Sequence, residues 1–349
     1  MQSKRDLIFI PKISTRPNKI VLFNEVSWYG KNDKPSEKSR SVSSSPKVSK
    51  QFHNFKISSA AHKNIQEKIT WLYTLGKSRY VKTYSGKEIF NFKINFLTLT
   101  LPSSQVHNTA TITNDLFNQF LTEIRQRTRM ENYVWRLEFQ GNGNVHYHIV
   151  TDTFIDYFFA RKIWNRILNK FAYIDNFAEK MNGLSLNEYF QKYGQDKHEN
   201  FTKIAKAYAK GVAEKWRNPP TVDVKVCTSQ NAISNYISKY FSKNDDAKCI
   251  CNPLDNEQNS FSLRLWFCSR SLSKLKSIIE FQEAANFRPD VLIKFAEKVK
   301  TYIHKYAVCY YFELRQMSNY VKSVLYPYFH EYAKSVDYLP AYSQNHDPT

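Results

Sequence analysis

The sequence lacks any apolar run near the roughly 20 residues that a membrane-spanning helix needs. Near its start the chain has only a short apolar patch at residues 7–10, too brief for the apolar part of a signal peptide. Both absences argue against a membrane partner. They predict a protein that works in the cytoplasm.

Acidic residues are scarce relative to basic ones. The chain has 31 Asp and Glu against 51 Lys and Arg, a formal net charge of +20. A charge so far from neutral indicates an acidic polymer or an anionic membrane as the partner. Because no membrane-spanning or signal segment accompanies this charge, nucleic acid is the favoured partner.

Cysteine is also scarce, with five residues in the whole chain. An odd number without a secretory signal is typical of reduced thiols. Cys249 and Cys251 lie close together, but no second close pair accompanies them and their spacing is not the usual one for zinc. A zinc site is therefore not expected.

The order of hydrophobic patterns divides the chain into segments. Residues 1–54 form a basic N-terminal segment with a flexible linker at about 31–50, rich in Ser, Lys and Pro, and the part before that linker is either a tail or a docked strand. Residues 55–275 mix strand and helix patterns, which predicts an α+β fold with a central antiparallel sheet flanked by helices.

Beyond about residue 275 the pattern predicts a helical C-terminal region, residues 276–349. Val291, Phe295, Val299 and Ile303 lie at helical spacing and would form one apolar face.

A predicted hairpin at residues 135–149, WRLEFQGNGNVHYHI, carries the strongest chemical signal. Strand side chains alternate between faces, so His146 and His148 point the same way. A loop of three residues, 141–143, pairs Glu138 with His146 and Arg136 with His148, and its glycines supply the positive φ of such a turn.

This register places two imidazoles and a carboxylate on one face of the hairpin. Three such ligands with open positions are suited to a divalent ion, so we predict Glu138, His146 and His148 as metal ligands. Gln140 lies on the same face and is the alternative third ligand. The competing interpretation is a solvated strand face that carries two histidines without any metal.

A second signal lies in residues 231–243, which are predicted to be helical. Tyr236 and Tyr240 are four residues apart and therefore share a helical face. Lys239 and Lys243 repeat this spacing on a neighbouring stripe. Taken alone, the tyrosines are interpreted equally well as packing residues.

Three segments, in this order, resemble the motifs of the HUH endonucleases: FLTLTLP at 96–102, the hairpin at 135–149, and YISKYFSK at 236–243. The name stands for His–hydrophobic–His, here His146-Tyr147-His148. The tyrosine pair is similar to that of the two-tyrosine replication initiators of microviruses, small single-stranded DNA phages, and of their prophage relatives. RLWFCSR at 264–270 also resembles a segment of those proteins, and the resemblance covers about residues 90–275.

The resemblance implies initiation of rolling-circle DNA replication. In that reaction a tyrosine nicks single-stranded or origin DNA, which gives a 5′-phosphotyrosine link and a free 3′-hydroxyl, and the strands are later rejoined. It implies catalytic roles for Tyr236 and Tyr240, with Lys239 stabilising the phenolate or the phosphate charge. The implied cofactor is a divalent metal, Mn²⁺ or Mg²⁺.

The implied partners are single-stranded DNA or a replication origin, and the helicase and DNA polymerase of a bacterial host cell. For DNA contacts we predict Arg136, Gln140, Lys243 and Arg270. Three other functions remain open: a transposase or relaxase of the same superfamily, a metal-dependent nuclease that uses water, and a non-catalytic basic nucleic-acid-binding protein. Relaxases place their tyrosine ahead of the histidines, whereas here both tyrosines follow them.

Overall fold

The computed structural model describes residues 6–29, 57–193, 201–228, 263–285, 287–294, 298–305, 307–312 and 317–341. The strands in these residues are β1 (Asp6–Arg16), β2 (Lys19–Tyr29), β3 (Arg79–Lys82), β4 (Glu88–Phe92), β5 (Ile94–Leu99), β6 (Tyr133–Phe139), β7 (Val145–Thr151), β8 (Val222–Cys227), β9 (Trp266–Cys268), β10 (Ile278–Phe281), β11 (Val299–His304) and β12 (Ala307–Phe312).

The helices are α1 (Ser59–Leu75), α2 (Thr109–Thr111), which continues through a π-helical segment (Ile112–Phe117) into α3 (Asn118–Thr128), α4 (Tyr157–Leu168), α5 (Tyr173–Asn182), α6 (Leu186–Tyr193), α7 (Phe201–Ala213), α8 (Arg270–Lys274), α9 (Pro289–Lys294) and α10 (Asn319–Ser335). Short 3-10 turns occupy Asn169–Phe171 and Gln282–Ala284. None of the described helices has both the length and the apolar character needed to cross a membrane.

The central sheet has the strand order β8-β5-β7-β6-β9, and all its pairings are antiparallel. Its strands lie close to the ranges predicted from the sequence. The α+β fold with antiparallel sheets and flanking helices is therefore confirmed. The predicted linker at about 31–50 and the predicted helix at 229–243 lie outside the described residues.

One face of the central sheet packs against α3 and α4. Leu137 and Tyr147 belong to a buried cluster with Phe117, Phe120 and Trp164 of those helices. The Tyr147 ring stacks on Phe117, with ring centroids 4.0 Å apart. This apolar layer fixes the β6–β7 hairpin from below, because alternate residues of both strands are anchored in it.

The opposite face is covered at one end by α1 and α10. Phe96, Val134 and Val150 of the sheet share a core cluster with Trp71 of α1 and Phe329 of α10. Trp71 and Phe329 meet edge to face at 5.3 Å. This core covers only the end of the face that lies away from the hairpin turn, so the polar residues of β6 and β7 lie beyond it.

A second sheet, in the order β10-β1-β2-β12-β11, joins the two ends of the chain. The segment before the predicted linker is therefore a strand hairpin and not a tail. Ile13 and Ile20 of this hairpin belong to the same buried cluster as α1 and α10. The boundaries predicted near residues 54 and 275 stay a prediction, but the segments on either side of them share one core.

The prediction of a helical C-terminal region was wrong for residues 299–312. Val299 and Ile303 lie in β11, not on a helix, and Ile303 is 80% exposed. Val291 does lie in a helix, α9, while Phe295 is outside the described residues. The physical reason is that β-branched and aromatic residues at 299–312 suit a strand, and β12 pairs with β2, far away in sequence.

Candidate functional site

The β6–β7 hairpin has the predicted register. Glu138 pairs with His146, and Arg136 pairs with His148. All four side chains lie on the face away from Tyr147, as strand alternation requires. The sequence therefore predicted correctly which side chains meet.

The turn of the hairpin is held by glycine and by a neighbouring loop. The Gln140 N–H donates to Asn144 O at 2.8 Å, and Gly143 has φ +82°, a conformation that glycine adopts without strain. Asn144 Oδ1 accepts from the Gln105 N–H at 2.9 Å, and Gln105 Oε1 accepts from the Val145 N–H at 2.9 Å. No pattern in the sequence indicated this support by Gln105, which follows β5 in an irregular segment.

Glu138 is held through both of its carboxylate oxygens. Its Oε1 lies 3.1 Å from Arg136 Nη1, and its Oε2 lies 3.1 Å from His148 Nε2. The other ring nitrogen of His148 lies 3.2 Å from the Thr98 hydroxyl of β5. Arg136 and His148 are each 1% exposed, whereas Glu138 keeps 23%. Thr98, which was not predicted, thus orients His148, and Arg136 orients Glu138.

His146 is half-buried and lies nearer the turn. Its ring stacks on His148, with centroids 4.6 Å apart and planes 24° from parallel. Nδ1 lies 3.0 Å from the amide nitrogen of Gln140. Nε2 is buried, and among the described residues it has no hydrogen-bond partner. With the Gln140 amide turned over, its oxygen would accept from Nδ1–H, and Nε2 would offer a lone pair.

We refer to Glu138, His146 and His148 as the hairpin cluster. Burial by itself would raise the pKa of Glu138, but the hydrogen bond with His148 and the charges of His148 and Arg136 bring that pKa below its ordinary value. Burial and the neighbouring His148 lower the pKa of His146 to about 4, against an opposing effect of Glu138. At neutral pH the cluster thus contains an ionised carboxylate and a neutral His146 ring, the forms in which both bind metals.

The donor groups of the hairpin cluster fit a divalent ion in their chemistry. Two imidazoles and a carboxylate are a common ligand set, and the buried Nε2 of His146 lacks any other partner in the described part of the chain. However, Glu138 and His148 bond directly to each other, and no three His, Cys, Asp or Glu side chains among the described residues are arranged as a metal site. The ligand assignment therefore stays a prediction.

The residues predicted to contact DNA have different surroundings. Arg136 lies beneath Glu138 with almost no exposed surface, so it can affect the site through that carboxylate. Gln140 is half-buried beside His146, and Arg270 is exposed at the first position of α8. Of these three described residues, only Arg270 has the open position that a direct phosphate contact needs.

The predicted nucleophiles Tyr236 and Tyr240 lie outside the described residues, and so do Lys239 and Lys243. Their roles stay predictions. The described chain reaches residue 228, just past the end of β8, the strand that pairs with β5.

Comparison with known proteins yields one family. The model of the family described as Replication-associated protein ORF2 matches residues 94–245. The match begins at the first residue of β5, includes the whole hairpin cluster and extends past both predicted tyrosines. It covers less than half of the 349 residues. It indicates a part in DNA replication and is consistent with a rolling-circle replication initiator. No curated protein and no solved structure matches the chain significantly.

Proposed function

We propose that the protein initiates rolling-circle replication by nicking one DNA strand with a tyrosine. One observation carries the proposal: the matched residues 94–245 contain both the hairpin cluster, in the register that brings its donors together, and the paired Tyr236 and Tyr240. The net charge of +20 favours the same partner, a polyanion.

In this proposal Glu138, His146 and His148 hold a divalent ion, Mn²⁺ or Mg²⁺. When bound, such an ion supplies Lewis-acid polarisation of the scissile phosphate and offsets charge on the departing oxygen. The protein contributes the orientation of the ligands. Thr98 fixes the ring of His148, and Arg136 keeps the Glu138 carboxylate ionised and in place.

The covalent step is a transesterification at phosphorus. The hydroxyl oxygen of one tyrosine forms a bond to phosphorus, and the bond from phosphorus to the 3′-oxygen breaks. The phenolic proton is lost to solvent, and the 3′-oxygen takes up a proton and leaves as a hydroxyl. Because a tyrosine has a pKa near 10, a cation such as Lys239 is needed to favour the phenolate.

The second tyrosine gives the protein a way to finish the cycle. It cuts the regenerated origin, and the 3′-hydroxyl so released attacks the first phosphotyrosine, which restores that tyrosine and closes the circle. Tyr236 and Tyr240 are one helical turn apart in the predicted helix, a rise of about 5.4 Å. A small shift of the DNA or the helix would therefore present either hydroxyl to one phosphate.

The decisive experiment uses single-stranded origin DNA, Mn²⁺ and a denaturing gel. DNA labelled at its 3′ end should appear in a covalent protein band, since the protein holds the 5′ side of the cut. DNA labelled at its 5′ end should appear as a shorter fragment that a polymerase can extend. Tyr236→Phe and Tyr240→Phe should each still form the adduct, and the double variant should form none while it still binds DNA.

Other results would replace the proposal. Cutting without any protein-linked DNA would indicate a nuclease that uses water. Intact DNA with tight binding would indicate a non-catalytic binder. Joining of the cut strand to an unrelated acceptor in preference to its own end would favour a transposase.

The metal assignment has its own readout. His146→Ala and His148→Ala should abolish both nicking and calorimetric Mn²⁺ binding, and EDTA should abolish nicking by the unaltered protein. Glu138→Gln and Gln140→Ala separate the two candidates for the third ligand. Mn²⁺ binding that survives Glu138→Gln but not Gln140→Ala would assign the third ligand to Gln140.

A further inference from the structure

A basic cavity lies on the helical layer, on the opposite side of the central sheet from the hairpin cluster. Its volume is about 420 Å³. One wall is a stripe of α4, and the other is the turn after α7 together with the start of α5. Four cationic side chains line it: Arg161, Lys162, Arg166 and Arg217.

Two of these four cations have acidic partners. Arg166 pairs with Glu123, and Arg217 lies 2.9 Å from Asp175. The other two, Arg161 and Lys162, have no acidic partner in the described part of the chain. The cavity therefore carries excess positive charge.

Arg161 makes this excess significant because it is only 7% exposed. Its Nη1 donates to the Tyr157 hydroxyl at 2.8 Å, its Nε to Asn218 Oδ1 at 2.8 Å, and its Nη2 to Asn218 O at 2.9 Å. All three acceptors are neutral. A buried charge is normally paired with an opposite one, so the site lacks an anion.

The second wall is formed by an unusual turn. Lys215 and Trp216 are both in the left-handed region, with φ of 51° and 56°. Trp216 is thereby buried in a small cluster with Ala178 and Met181, and Arg217 lines the cavity. Residues other than glycine adopt such a backbone at a cost that often accompanies function.

An aromatic groove adjoins the basic cavity, and Phe158 lines both. The groove has a volume of about 660 Å³ and lies between the β3–β4 hairpin and β8. Its Phe90 is 64% exposed and Phe158 is 50% exposed. Tyr80, which is 45% exposed, lies 5.3 Å from Phe90 between ring centroids. Exposed rings beside a cationic site are the two elements of a surface for single-stranded nucleic acid.

We infer that the basic cavity binds the phosphodiester backbone of single-stranded DNA, with bases stacked on the rings of the aromatic groove. A duplex hides its base faces, so the exposed rings favour a single strand. The inference rests on the proposed function only for the choice of DNA as the nucleic acid. Because the sheet lies between this surface and the hairpin cluster, it holds a stretch of strand away from the cut.

The test is a double variant, Lys162→Ala with Arg217→Ala. Both side chains are exposed, and the ion pair lost with Arg217 is a surface pair that contributes little to folding. The matched control removes two exposed lysines that do not line the cavity, Lys180→Ala with Lys334→Ala. Binding is measured by fluorescence anisotropy in EDTA, so that no cutting occurs.

A long single strand should bind the double variant on the order of ten-fold more weakly, with a salt slope lower by about 1.4, as for two lost phosphate contacts. Phe158→Ala should weaken it at least about five-fold. Covalent attachment to a short oligonucleotide that carries only the nick site should be unchanged. A failure of the proposed function would instead appear as missing adduct with cavity binding intact.

Three results would overturn the inference. The control could lose as much affinity as the cavity variant, which would mean that only net charge matters. Duplex DNA could lose affinity equally, which would remove the role of the rings. Finally, the cavity variant could lose binding of inorganic phosphate and keep all its affinity for single strands, which would make the cavity a site for small anions.

Discussion

Replacement of Glu138 by alanine should destabilise the fold in addition to abolishing nicking. Arg136 is 1% exposed and lies 3.1 Å from Glu138. Removal of one partner of a buried pair costs about 3–5 kcal/mol, because the other charge remains buried. Glu138 itself is 23% exposed, so water can partly replace it. We therefore expect a loss of about 2 kcal/mol, below that range.

Urea unfolding in EDTA measures this cost without any contribution from metal binding. Glu138→Gln keeps the shape and an oxygen that can accept from Arg136, so it should cost about 1 kcal/mol. Gln140→Ala, on the same face but nearer the turn, is the control and should cost less than Glu138→Ala. Adding Arg136→Met to Glu138→Ala should recover part of the loss, because no buried charge is then left unpaired.

Two outcomes would refute this reasoning. Glu138→Ala could be as stable as the unaltered protein, or Arg136→Met could cost the same in both backgrounds, which would mean that the two residues do not interact. If the reasoning holds, activity lost in Glu138→Ala is ambiguous. Glu138→Gln is then the variant that reports on chemistry.

Three further predictions concern the turn, a buried carboxyl group and the net charge. Gly143→Ala should cost more than about 1 kcal/mol, because φ is +82° there, whereas Gly141→Ala, with open space around it, should be nearly neutral; equal urea midpoints would contradict this. Burial raises the pKa of Asp152 to about 6, so the unfolded chain releases this proton first and stability falls as pH rises from about 4 to about 6. Asp152→Asn should remove this decline, so its stability relative to the unaltered protein should improve by about 3 kcal/mol between pH 4 and pH 7; a constant difference would contradict it. Binding of single-stranded DNA should weaken steeply with salt, and a flat response would mean that the net charge of +20 serves another purpose.

The hairpin could be predicted in detail because its information is local. Strand alternation assigns each side chain to a face, and the glycine-containing loop sets the register from residues next to one another in sequence. Glu138 and His146 could thus be paired from the sequence alone. The apolar partners on the other face, such as Leu137 and Tyr147, followed from the same alternation.

The features that were missed depend on contacts distant in sequence. The helical pattern after residue 275 was ambiguous, and pairing of β12 with β2 decided it. Thr98 reaches His148 from another strand, and Gln105 holds the turn from a segment without regular structure. The burial of Arg136 also depends on elements packed over the sheet, which strand alternation does not describe. A local pattern says which face a residue occupies but not what covers that face.

The two histidines of the hairpin cluster are therefore not equivalent, although the sequence presents them symmetrically. His148 is buried and contacts Thr98 through one ring nitrogen and Glu138 through the other. His146 is half-buried, and its Nε2 has no partner among the described residues. Loss of the His148 ring leaves polar groups unsatisfied, which costs stability whatever the role of the ring. Loss of the His146 ring exposes fewer such groups, so activity lost in His146→Ala reports on metal binding more directly.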